Sequence, residues 1–275
     1  MRASRGIVIL VLLIVAAVVS GAAPAPPSPP AAPATTPAAP ATAPNWYPLE
    51  VGHEWQYQID VQLEVSAPGR PPIKQRVDES GEKRIDRVVT EFAGGLPTVE
   101  EVRVGWAGPL GDMSGASGKS YVAATESGVY LHAQRELREN GPEKLTKFSP
   151  PHRLLALPAK VGFKWPIGTE VVKKIHIETT GEILPFEDAR TPAGVFTQCL
   201  KFRESGKLTG AIDSDYGPWQ IVDGTYQQIQ WLADGVGEVK GEWNSKLTVR
   251  EPSGLKATVQ YRLAWELTYH RTPGQ

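Results

Sequence analysis

Residues 45–275 are predicted to form an all-β fold, one large curved antiparallel sheet that closes into an open or incomplete barrel. Three observations predict it. Two long segments, 54–65 and 256–270, alternate apolar and polar residues, the period at which a strand turns one face to a core and the other to water. Gly, Pro and Asp punctuate the chain at "ESGE" (79–82), "AGGLP" (93–97), "ESG" (126–128) and "ADGVG" (233–237), as short turns do. No segment offers a convincing helix long enough for the crossover that parallel strands require, so consecutive strands pair antiparallel.

The elements follow in order. In the first strand Trp55, Tyr57, Ile59, Val61, Leu63 and Val65 share one face, with Glu54, Gln56, Gln58, Asp60, Gln62 and Glu64 on the other. Further strands are expected near 72–79, 82–92, 97–106, 119–125, 128–137, 169–184, 195–204, 225–233 and 236–249. The segment LHAQRELRE (131–139) is the best helix candidate, but it lacks caps and sits between strands. The polar, Gly-rich span 205–224 reads as a long loop or an irregular hairpin. The last strand aligns Ala257, Val259, Tyr261, Leu263, Trp265, Leu267 and Tyr269 on one face. Alternation that long suits a strongly curved sheet.

Pro-x-x-Val-Gly-x-x-Trp occurs twice, as PLEVGHEW (48–55) and PAKVGFKW (158–165). Proline fixes its own φ and biases the residue before it toward extended geometry. Glycine permits a positive φ. The pattern reads as a strand-entry corner that drives a tryptophan into the core.

Ahead of the domain, Arg2 and Arg5 precede an apolar run of thirteen residues, Ile7–Val19, and then small residues. This is the pattern of a secretory signal peptide over 1–22, with the cut before Ala23. The run is short for a spanning helix, which needs about 20 residues. An uncleaved anchor, the alternative, would be the chain's sole association with a membrane. Nine of the 21 residues from Pro24 to Pro44 are proline and nearly all the rest are Ala or Thr. Residues 23–44 therefore read as a Pro/Ala-rich disordered linker, and 45–275 as a single β-rich domain. That domain carries 27 basic and 30 acidic side chains, a net charge of −3, with no basic stripe in the sequence. Nucleic acid is thus not an expected partner. One cysteine, Cys199, rules out an internal disulfide and reads as a small buried hydrophobe.

No constellation of residues points to catalysis. His53, His132, His152, His176 and His270 are scattered singly, without zinc-ligand spacing. There is no G-x-S-x-G, and DMSGASGKS (112–120) reads as a hairpin tip. Asp213 and Asp215 in DSDYG resemble a calcium-loop fragment, but the twelfth position from Asp213 is Gly224 rather than a glutamate. No catalytic residue, metal ligand or cofactor is expected. Aromatic residues on a curved sheet belong first to a core and second to the lining of an apolar cavity. The ligand-lining candidates are Trp55, Tyr57, Trp106, Trp165, Trp231, Trp243, Tyr261 and Trp265.

NWYPLEVGHEWQYQ (45–58), TPAGVFTQCLKFRES (191–205) and WLADGVGEVKGE (231–242) form, in this order, a set of motifs. The set resembles a group of secreted bacterial proteins carrying a domain of unknown function, with the pattern Y-P-L-x-x-G-x-x-W, P-x-G-x-F-x-x-C and A-x-G-V-G-x-V. The resemblance implies a curved, largely antiparallel sheet, an open barrel akin to lipoprotein-carrier folds, and no catalytic residue. The same residues have a reading of their own. Pro192 and Gly194 form a turn, Phe196, Gln198, Leu200 and Phe202 alternate with Cys199 and Lys201, and Gly235 and Gly237 bracket a bulge or a close approach.

The expected function is that of an exported, non-enzymatic envelope protein, periplasmic or extracellular. It would bind or carry a lipid or other apolar ligand, or an envelope protein. The alternative is a structural or assembly module of the envelope without a small-molecule ligand. A wide apolar interior would favour the ligand, and a filled one protein contacts.

Overall fold

The computed structural model describes residues 44–93, 96–106, 116–137, 144–172, 174–212 and 218–274. The leader and most of the linker lie outside the described residues, as do Asp213 and Asp215. Thirteen strands run through the described chain: β1 Glu54–Ser66, β2 Ile73–Ala93, β3 Leu96–Trp106, β4 Ala116–Thr125, β5 Gly128–Leu137, β6 Lys144–Ala156, β7 Lys164–Val172, β8 Ile175–Ile183, β9 Glu187–Thr191, β10 Gly194–Ile212, β11 Trp219–Ala233, β12 Gly237–Arg250 and β13 Lys256–Arg271. They form one antiparallel sheet in the order β6-β5-β4-β3-β2-β1-β13-β12-β11-β10-β8-β7, with β9 paired to β10 off this path. The first and last strands join in the middle, and the sheet curls into a nearly closed barrel. Its unsealed seam lies between β6 and β7.

The period-two faces are as expected along β1, where Trp55, Tyr57, Ile59, Val61, Leu63 and Val65 are all buried. Elsewhere pairing overrides local signals. "ESGE" is no turn: β2 runs through it, because Ile73 to Arg84 pair continuously with β1 and place Gly81 opposite Tyr57. The helix candidate at 131–139 is strand β5 as far as Leu137. The expected strand at 169–184 is the hairpin β7–β8. Of the two forms expected for 205–224, a long loop or an irregular hairpin, the described residues form the second: β10 and β11 pair there with a register shift between Lys207 and Gly210. Strand β6 escapes sequence reading because Pro150 and Pro151 sit within it.

Two bulges change faces. On β13 the register to β1 shifts between Gln56 and Tyr57. Thr268 is the extra residue, and it donates its hydroxyl to Gln56 O at 3.0 Å. Beyond it His270 joins the inner face, and Tyr269, expected inside, is 43 % exposed. On β10 the register to β9 shifts between Phe196 and Cys199. Gln198 takes φ +52°, and its N–H donates to Asp188 Oδ1 at 2.8 Å. This breaks the alternation expected for 196–202, so Cys199 and its neighbour Leu200 are both buried.

The repeated corner is one structure used twice. Gly52 and Gly162 both have positive φ, +100° and +81°. Gly52 N donates to Ile85 O at 3.0 Å and Ile85 N to His53 O at 3.0 Å. Gly162 N donates to Ile183 O at 2.8 Å and Ile183 N to Phe163 O at 3.0 Å. Each corner then buries its tryptophan, whose indole N–H donates to a distant carbonyl: Trp55 to Val236 O and Trp165 to Arg153 O, both at 2.6 Å.

Inner rings lie flat over glycines of adjacent strands. A Cβ on Gly241 would come within 2.0 Å of the Trp265 ring, one on Gly181 within 2.3 Å of Trp165, and one on Gly206 within 2.2 Å of Tyr226. These paired positions let ring and backbone approach closely on the curved sheet.

Candidate functional site

At the end of the barrel where β1 begins, inward positions that period two reserves for apolar side chains carry charge. Lys83 on β2 lies 3.6 Å from Glu101 of β3 and 3.6 Å from Glu238 of β12, and none of the three side chains is more than 3 % exposed. The Lys83 ammonium sits 4.8 Å from the Trp55 ring centroid and 5.1 Å from that of Tyr47. Glu101 accepts from Arg103 Nε at 2.9 Å and from the Tyr47 hydroxyl at 2.8 Å. Glu238 Oε1 accepts from Gln230 Nε2 at 2.6 Å and from Trp265 Nε1 at 2.8 Å. Two cations balance two carboxylates, each with further hydrogen bonds, as buried charge requires. Burial alone would raise the Glu101 carboxyl, but Lys83, Arg103 and the Tyr47 hydroxyl outweigh it and hold it down to about 2. Burial, and then Glu101, push the Tyr47 phenol up.

A histidine pair adjoins the network. His53 Nδ1 and His270 Nε2 are 3.2 Å apart, and both rings stack on Trp55. Burial, followed by the His53 and Lys83 charges, brings His270 down to about 4. The two are histidines that sequence reading left scattered; the Thr268 bulge unites them. Among the described residues no group of three or more His, Cys, Asp or Glu is placed to hold a metal ion.

The three motifs of the resemblance meet at this same end. Asn45 N donates to Asp234 Oδ1 at 2.6 Å and Gly235 N to Asn45 O at 2.9 Å. Pro48 packs against Gly237, where a Cβ would be 3.1 Å from its ring. Ala193 N donates to Leu267 O at 3.0 Å, and Phe186 meets Trp46 with ring centroids 5.8 Å apart. The motif set is thus a clasp holding the chain's entry strap to the β11–β12 turn and the β9–β10 hairpin.

The aromatic lining candidates divide. Trp55, Tyr57 and Trp265 take part in the ion network. Trp165 bridges the seam, and Tyr261 lies toward the opposite end of β13 with its hydroxyl buried and unpartnered. Trp231 is on the outer face, where register sets it between Lys201 and Lys240, whose ammonium groups lie 4.7 and 5.5 Å from its ring. Trp243 is half-buried and stacks on Tyr226 with centroids 4.4 Å apart. The side chain of Trp106 lies outside the described residues. Apart from Trp243 and Trp106 all are between 1 and 6 % exposed. A side chain bordering a void large enough for water would present surface to it, so the five of these that face inward, Trp55, Tyr57, Trp165, Tyr261 and Trp265, border packed protein.

Open space lies outside. A hollow of about 450 Å³ on the β2–β1–β13 surface is lined by Gln62, Leu63, Glu64, Lys74, Gln75, Arg76, Gln260 and Arg262. Lys74 pairs with Glu64 at 3.1 Å and Arg76 with Asp60 at 2.9 Å. Sequence reading missed this site because its members come from three strands, two of them at opposite ends of the domain.

No protein-family model matches the chain, and no curated protein matches it, so the motif resemblance rests on its residues alone. Among solved structures, a LolA superfamily protein from Nitrosomonas europaea is similar at 8 % identity, over 77 % of this chain and 86 % of that one, with a TM-score of 0.16. A likeness at that score carries no inference about ligand or activity.

Proposed function

We propose that this chain is an exported, non-enzymatic binding module of the cell envelope that meets its partner on the outside of its barrel. The observation that carries this reading is the location of space. Inner aromatics are buried against other side chains, whereas the 450 Å³ hollow opens on the outer face. Export rests on the leader pattern of residues 1–22, and reach from the attachment point on the Pro/Ala tract of 23–44. That tract would extend roughly 65 Å as polyproline helix, at about 3.1 Å per residue.

Carriage of a lipid inside the barrel is the second reading, and the seam favours it. There Trp165 and His152 bridge β6 and β7 through side chains, and parting them would open the interior without breaking a strand ladder. Both readings meet one experiment: the full chain is sedimented with isolated envelope fractions, and separately incubated with phosphatidylethanolamine–phosphatidylglycerol vesicles for native mass spectrometry. Co-sedimentation without retained phospholipid is the expected result. Retained phospholipid would transfer the role to the interior, and neither outcome would leave a purely structural module.

A further inference from the structure

We infer that His53 and His270 form a two-nitrogen site for a soft monovalent metal ion, copper(I). The inference stands apart from the outer-face reading above and uses none of its residues.

Neither histidine has ligand spacing in the sequence. The Thr268 bulge turns His270 inward, beside the residue that precedes β1. His53 Nδ1 and His270 Nε2 stand 3.2 Å apart, the ring centroids are 5.4 Å apart, and the planes differ by 13°. The centroid separation exceeds the nitrogen separation by close to two ring radii. Both nitrogens therefore lie near the line joining the ring centres, and they face each other head to head. For a shared N–H···N bond 3.2 Å is at the long limit. An imidazole nitrogen binds a metal at about 2 Å, so rings parting by about 0.8 Å admit one ion between two nearly collinear lone pairs. His270 is half-buried and next to the last residue of β13. Chain ends yield most readily, and this one supplies both the movement and the way in.

Two donors on a line are the coordination that copper(I) accepts. Zinc and copper(II) call for about four ligands, and among the described residues no third His, Cys, Asp or Glu joins the pair. The surroundings suit a single positive charge. Both rings stack on Trp55, with centroids 5.3 and 5.5 Å from its own. An ion midway between the histidines would lie about 4.7 Å from the indole centre, within cation–π reach. Lys83 faces the same ring from β2 at 4.8 Å and is neutralised by Glu101 and Glu238. Its ammonium makes a dication costlier here than a monocation. His53 Nε2 lies 3.9 Å from Glu50 Oε2, which favours the proton on Nε2 and leaves the Nδ1 lone pair to the metal. Burial first, and Lys83 after it, hold both imidazoles below their ordinary range. Neither then carries a competing proton at neutral pH.

The test is anaerobic uptake of copper(I) by the full chain against bathocuproine disulfonate, with zinc(II) titrated by calorimetry. One copper(I) per chain is expected, bound more tightly than zinc(II). X-ray absorption at the copper edge should show two nitrogen neighbours and no sulfur, which separates the pair from the chain's sulfurs, Cys199, Met1 and Met113. His270→Asn should lose about a hundredfold or more in affinity, since even an outer-shell partner is worth about 10–100-fold. Cys199→Ala should retain the ion. No uptake, sulfur in the coordination shell, tighter binding of zinc(II), or equal uptake by a folded His270→Asn chain would each overturn the inference. The absorption spectrum needs no variant, so it decides the matter even where His270→Asn unfolds.

Discussion

Lys83 shows how much one inner position can decide. It is held by two carboxylates and two aromatic rings in a place with almost no water. Lys83→Met leaves Glu101 and Glu238 with one cation between them, and the expected loss is about 3–5 kcal/mol of stability, read by urea unfolding. Adding Glu238→Gln should cost less than the two single changes summed, because a charge then leaves together with its partner. The acid limb of stability should have two stages. His270 stands at about 4 in the fold against 6.5 free, so the unfolded chain takes the proton first. The stability from keeping that ring neutral is full above about pH 6.5 and is lost as pH falls to about 4. Glu101 stands at about 2 against 4.5, so its contribution, on the order of 3 kcal/mol, is full above about pH 4.5 and lost toward pH 2. A melting-temperature series should show both stages, and His270→Asn should shrink the upper stage while leaving the lower one. None of this network is legible in the sequence. Lys83, Glu101 and Glu238 read as ordinary surface charges until pairing sets them inward on three strands.

At the scale of the element, glycine and aromatic residues act as pairs. Gly241 gives its space to Trp265 across the β12–β13 ladder. Gly241→Ala should therefore cost about 1–3 kcal/mol by overpacking, and Trp265→Leu in the same chain should recover part of it, as thermal unfolding would show. Gly118→Ala is the contrast: its nearest contact would be an ordinary 3.5 Å to Arg135 O, without positive φ, and a small change is expected. The β1 face and the Pro-x-x-Val-Gly-x-x-Trp corner were legible because both are local, one a period and the other a turn with its own backbone hydrogen bonds. The "ESGE" turn misled because local turn propensity yielded to the long ladder with β1, while of the two readings of 205–224 only pairing between β10 and β11 selects the irregular hairpin.

For the whole molecule the seam is the exposed liability. Strands β6 and β7 end the sheet without pairing to each other, and an open edge invites a strand from another chain. Pro151 in β6 and Pro166 in β7 remove backbone donors there, which discourages such addition. Pro151→Thr with Pro166→Thr should shift the chain toward self-association, detectable by sedimentation velocity at rising concentration. An unchanged distribution would mean that the Trp165 and His152 bridge guards the edge unaided.

By itself the sequence determined that long ribbons apolar on one side must roll up to hide that side, because period two is written residue by residue. It also placed the two corners. Tertiary structure alone decided that the inner aromatics pack against other side chains and that the buried Glu101 and Glu238 are neutralised by Lys83 and the half-buried Arg103. Those features depend on which strands become neighbours and in what register, and the β1–β13 ladder joins strands some two hundred residues apart, a contact no local pattern records.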